Sequence, residues 1–151
     1  MKSIIGIVLW TTMALPDPFL LKLGLMFIAA QGVLSYVSSG IAKLTSQKWR
    51  RGRAVYEIMG TKTYGRKSVA THLAHAPNFL NLFLCWSIMI AESFFWLVLF
   101  LPSPYFLFFL FWGLTFHIWN AVVMGLNNFV LAFLATYPAI LYFSVTFHQG
   151  P

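Results

Sequence analysis

The chain has 151 residues, of which 60% are hydrophobic, 19% aromatic and only 9% charged, with a net charge of +7. Soluble domains carry about a quarter charged residues, so a soluble fold has nowhere to bury this much apolar surface. All but Lys2 and Lys22 of the ten Lys and Arg lie in one connection, Lys43 to Lys67, which argues against a nucleic-acid partner and for a loop resting on anionic lipid headgroups.

In chain order, Lys2 followed by the apolar run Ile4 to Leu15 reads either as a signal peptide closing at Ala14 or as a short first helix stopped by Pro16-Asp17-Pro18. A span over residues 19–42 follows, with Gly32, Ser35 and Ser39 forming a small-residue stripe suited to close helix contact. The basic connection, residues 43–77, alternates apolar and basic positions through Trp49, Arg50, Arg51, Arg53, Val55, Tyr56 and Met59, as an amphipathic interfacial helix would. His72 and His75 lack an evident third ligand, so no metal site is assigned.

Further spans are expected at 78–101, 105–124 and 128–147. The first of these carries one charge, Glu92, over more than the ~20 residues that cross hydrocarbon as a helix. Pro102-Ser103-Pro104 makes one turn by removing amide donors where a helix should stop. Gly125-Leu126-Asn127-Asn128 makes the second turn, or a helix break at depth. The single cysteine, Cys85, excludes an internal disulfide, a CxxC pair and a thiolate-rich metal site. The expected fold is therefore all-α: one polytopic membrane bundle over residues 1–151, with four full transmembrane helices plus a short N-terminal apolar helix. The charge rule places the basic connection in the cytoplasm and the Pro-Ser-Pro turn outside.

Polar groups at membrane depth cost about 2.5 to 3.5 kcal/mol per central charge on insertion scales, so each needs a partner or a purpose. Counted outward from their shared turn, Glu92 and His117 differ in depth by ~4.5 Å, close enough to pair. Asn120 and Met124 continue the His117 face one turn at a time. Lys43 ends its span on the side of the Gly125 turn, where it either approaches His117 and Asn120 or snorkels to the headgroups as an anchor. The same polar groups read equally as interhelical glue.

Two ordered stretches, Tyr36-Val-Ser-Ser-Gly40-Ile-Ala-Lys43-Leu44 with Trp49-Arg-Arg-Gly52, and Phe116-His117-Ile-Trp-Asn120 leading to Gly125-Leu126 and Phe129, resemble the HTTM family. This is the transmembrane domain shared with vitamin K-dependent gamma-glutamyl carboxylase. The resemblance covers about residues 30 to 145. It implies a quinone as the natural ligand or cofactor, and it makes Lys43 the candidate base toward a reduced quinone. Carboxylases carry further N-terminal helices and a large luminal domain for which this chain has no room. The family also includes bacterial membrane proteins encoded with peptide-toxin maturation systems, which implies a bacterial cell membrane.

Three functions follow as expectations. The first is an HTTM-type membrane protein acting on a quinone-like or peptide substrate, with Lys43 and His117 as catalytic candidates and Asn120, Glu92 and Trp49 as substrate-binding candidates. The second is a non-catalytic or immunity-type membrane subunit whose basic connection docks a soluble protein partner. The third is a small quinone-linked subunit of the DoxX type.

Overall fold

A computed structural model of the chain describes residues 18–102 and 104–149. The apolar run Ile4 to Leu15, expected as a signal peptide or short helix, lies outside the described residues, as does Ser103. Among the described residues the regular structure is wholly helical: α1 (Pro18–Thr45), α2 (Gln47–Arg50), α3 (Ala54–Met59), α4 (Lys67–His75), α5 (Asn78–Ser93), a 3₁₀ segment (Phe95–Leu99), α6 (Tyr105–Met124) and α7 (Asn127–Gln149).

Helix α1 buries Ala29, Gly32, Val33, Tyr36 and Gly40, one stripe at three- and four-residue spacing. Its remaining surface is equally apolar, with Phe19, Phe27, Leu34 and Ile41 exposed. Helices α6 and α7 share this pattern through exposed Phe108, Phe111 and Leu131. A helix apolar on all sides belongs in a solvent that is itself apolar. Each of the three is long and apolar enough to cross a membrane.

The expectation of four full spans is corrected to three, or at most four if the bent pair α4–α5 is one broken span. The expected span 78–101 is not one helix. Helix α5 stops at Ser93 after 16 residues, about 24 Å of rise against a hydrocarbon core of about 30 Å. The chain then winds more tightly, because Phe95 and Val98 must face the same way: at three residues per turn they eclipse, and both are fully buried. There Phe95 stacks on Tyr36 with ring centroids 3.8 Å apart. The core gathers around this pair, drawing on Val33, Leu110, Tyr137 and Ile140.

The stretch Trp49 to Met59, expected as one interfacial helix, is also corrected: it is divided between α2 and α3, and α4 follows in the same connection. It breaks at Gly52, whose φ of +72° is left-handed and whose α-carbon lies so close to α5 that a Cβ would stand 2.8 Å from the backbone of Leu82. Helix α4 meets α5 at a bend of 118°, and Asn81 Nδ2 donates to the Leu73 carbonyl at 2.8 Å across it. Trp86 Nε1 donates to the Arg50 carbonyl at 3.3 Å, so the connection is seated on α5. The α6–α7 turn forms where expected, on Gly125 with a φ of +73°.

Helix α1 packs along α7 and α5, and α6 packs along α7 and the 3₁₀ segment. Gly52→Ala should lower stability by at least ~1–2 kcal/mol, the cost of the left-handed backbone alone. Gly24→Ala, on an open face of α1 with nothing within 4 Å of an added Cβ, should be neutral or raise stability by up to ~1 kcal/mol. Thermal unfolding of the two variants in nanodiscs measures the difference.

Candidate functional site

Gly40 sets the site. An added Cβ there would stand 2.5 Å from the Ser93 amide nitrogen, so only glycine lets α1 press onto the end of α5. One turn later, this contact delivers Lys43 to Glu92, with Nζ to Oε2 at 2.5 Å. Lys43 also donates to Ser39 Oγ, and its ammonium lies 5.3 Å from the Trp49 ring centroid. The two side chains are 17% and 4% exposed, so this is a desolvated pair and not a headgroup anchor.

The expected Glu92–His117 contact is not made. Glu92 is taken by Lys43, and His117 Nε2 is instead 2.8 Å from the Tyr36 hydroxyl. Tyr36 in turn is 3.2 Å from the Tyr137 hydroxyl. The imidazole lies against Phe133, with centroids 4.1 Å apart, and its Nδ1 is buried without a partner. Gly113, one turn before His117, clears the space: a Cβ there would meet both tyrosine oxygens at 2.6 and 2.7 Å.

These groups share a cavity of about 490 Å³ between α1 and α6. Lys43, Glu92, Ser39, His117 and Asn120 line its polar side, and Phe116, Phe129 and Phe133 its aromatic side. A second space of about 180 Å³ adjoins it. Lys43, Phe116, Asn120 and Leu126 line both, and Trp49, Met59, Trp119 and Met124 complete the smaller one. Four of the five residues singled out from the sequence, Lys43, Glu92, His117 and Asn120, therefore meet in one cavity, and Trp49 closes the adjoining space.

Tyr36, Tyr137 and Phe133 were not singled out from the sequence. Tyr36 carried a signal, since it precedes Gly40 and Lys43 on one helical face. Tyr137 and Phe133 carried none, being apolar-helix aromatics among many. His72 and His75 turn Nδ1 to the Ser68 and Thr71 carbonyls of their own helix, at 2.6 and 2.8 Å. On the surface of the connection, Lys48 lies 2.8 Å from Glu57 and Arg53 lies 3.1 Å from it. The Lys48 hydrogen bond, more than any other contact, holds the Glu57 carboxyl below its usual range and ties α2 to α3.

No protein-family model, curated protein or solved structure matches the chain. The site therefore rests on its own chemistry. A cation and a carboxylate in contact can exchange a proton, Asn120 can both donate and accept, and the aromatic side suits a flat ring.

Removing one partner of a buried ion pair typically costs about 3–5 kcal/mol, because the other charge is left uncompensated. Lys43→Met and Glu92→Leu should each lower stability on that scale, and the double variant should regain most of the loss. A double-mutant cycle on thermal unfolding measures this coupling.

Proposed function

We propose that this chain is an HTTM-type integral membrane protein that binds the ring of a lipid-soluble, quinone-class compound in the cavity between α1 and α6, with Lys43 handling a proton there. The observation that carries the reading is the convergence of Lys43, Glu92, His117 and Asn120 on an aromatic-lined cavity of about 490 Å³. Few polar groups facing an apolar enclosure are what fixes the orientation of a flat, mostly hydrophobic ligand. Placement in a membrane brings such a compound to the site, since it partitions into the hydrocarbon that α1, α6 and α7 face.

The proton step follows from the pair. Lys43 passes its proton to Glu92, and the amine left behind takes the proton of a quinol hydroxyl brought into the cavity. The ring oxygen becomes anionic beside the ammonium thus formed, which stabilises it. Exposed Arg50, Arg51, Lys62, Arg66 and Lys67 rest on anionic headgroups, on the cytoplasmic side by the charge rule.

A second reading, a non-catalytic membrane subunit, is favoured by the ion pair itself, which satisfies both groups without a ligand. The two readings separate at Lys43. Wild type in nanodiscs should gain stability from at least one member of a quinone panel, by about 2.7 kcal/mol at a hundredfold excess over the dissociation constant. Lys43→Ala, Lys43→Arg and His117→Ala should lose that gain while remaining folded. Absence of any gain in wild type, with Lys43→Arg indistinguishable from it, favours the subunit reading.

A further inference from the structure

Helices α1 and α7 touch at Gly32, close to the middle of α1, where an added Cβ would stand 2.9 Å from Thr136 Oγ1. From there toward Lys43 they leave the cavity between them. Ser35, Ser38 and Phe129 line that cavity and are nevertheless exposed, so it has an open side between α1 and α7. Both helices are long and apolar enough to cross a membrane and turn Leu34 and Leu131 outward. The open side therefore faces hydrocarbon.

A groove of about 230 Å³ continues from this side along the α1–α7 contact. Gly32 and Ala132 leave room for it, and Ser35 and Phe133 line both the groove and the cavity. Its surface is mostly apolar. Its two hydroxyls are spent within their own helices, Ser35 on the Gln31 carbonyl at 2.8 Å and Thr136 on the Phe133 carbonyl at 2.7 Å, and Gln31 is exposed at the rim. Among the described residues the other ways out of the cavity are taken: Lys43 is held by Glu92, His117 by Tyr36, and the adjoining space ends at Trp49 and Met59 of the connection. Ser35 lies eight residues before Lys43, about 12 Å along the helix. A ring held at Lys43 does not reach the groove, but a chain attached to that ring does. At this depth there is no water to fill a groove, so hydrocarbon fills it.

We propose that the groove between α1 and α7 holds the hydrocarbon chain of the compound whose ring occupies the cavity. The ligand is then a chain-bearing membrane lipid that enters sideways from the bilayer, and not a compact ring delivered from water. The identity of the ring rests on the quinone reading above, and the place of the chain rests on the groove.

Photolabelling in nanodiscs tests this, with a 1,4-naphthoquinone whose alkyl side chain carries a diazirine, and with a fatty acid carrying the same group as a probe of bulk lipid. Digestion and mass spectrometry should place the quinone's label on residues 31–35 and 132–136. An excess of 2-methyl-1,4-naphthoquinone, which has no chain, should remove that label. The fatty acid should label the outward faces of α1, α6 and α7 with no preference for the groove and no response to the competitor. Ala132→Phe, which fills the groove from an exposed position, should abolish the groove label, whereas Ala135→Phe, exposed on the same helix outside the groove, should leave it as in wild type. Label outside the groove, a groove label that survives the competitor or Ala132→Phe, or equal groove labelling by the fatty acid overturns the proposal. Thermal stabilisation by 2-methyl-1,4-naphthoquinone reads the ring site separately. If it is present and the groove is unlabelled, the chain assignment alone falls; if both are absent, the quinone reading falls with it.

Discussion

The close approach of α1 to the end of α5, made possible by the missing side chain of Gly40, is the constraint on which the rest depends. A Cβ of any size at that position would collide with the Ser93 backbone. With the helices in contact, Lys43 reaches Glu92, and a charge that would otherwise turn toward headgroups is drawn into the bundle. Without the contact, Glu92 would be a lone carboxylate in an apolar setting, which is the costlier state by several kcal/mol. The pair also stands at one wall of the cavity, so the backbone contact that satisfies two charges places the chemistry as well.

His117 is held on a different principle. His117 is anchored by hydrogen bonds and ring stacking and has no opposing charge beside it, and its partners come from two other helices. Tyr36 joins the two systems. It stacks on Phe95, which the tight winding of the 3₁₀ segment turns inward, and it is hydrogen-bonded to His117. The break in the expected span 78–101 thus contributes to the site. A continuous α-helix would not bring Phe95 and Val98 onto one line.

Around this polar interior, the outer surface is mostly aromatic and aliphatic, and among the described residues every Lys and Arg except Lys22 and Lys43 lies in the connection that carries α2, α3 and α4. Seating these helices on α5 through Gly52, Asn81 and Trp86 fixes where the positive charge lies relative to the cavity. It also brings Trp49 over Lys43, so the connection forms one side of the adjoining space.

Much of this was legible beforehand. Hydropathy alone located α1, α6 and α7 to within a few residues, because an apolar run of that length has few alternatives to a helix, and Gly125 marked the α6–α7 turn. The scarcity of polar groups at depth singled out Lys43, Glu92, His117 and Asn120, since each such group must be satisfied by something. What the sequence could not determine is which of them satisfies which. Depth counting allowed Glu92 to pair with His117, but pairing is decided by rotation about the helix axis and by how closely backbones approach, quantities that hydropathy does not encode. The same holds for the break after Ser93 and the division of the basic connection at Gly52, where contacts distant in sequence overrode local periodicity. Composition determined the apolar setting and the inventory of polar groups, and only the tertiary structure decided their partners, because those partners lie on different helices.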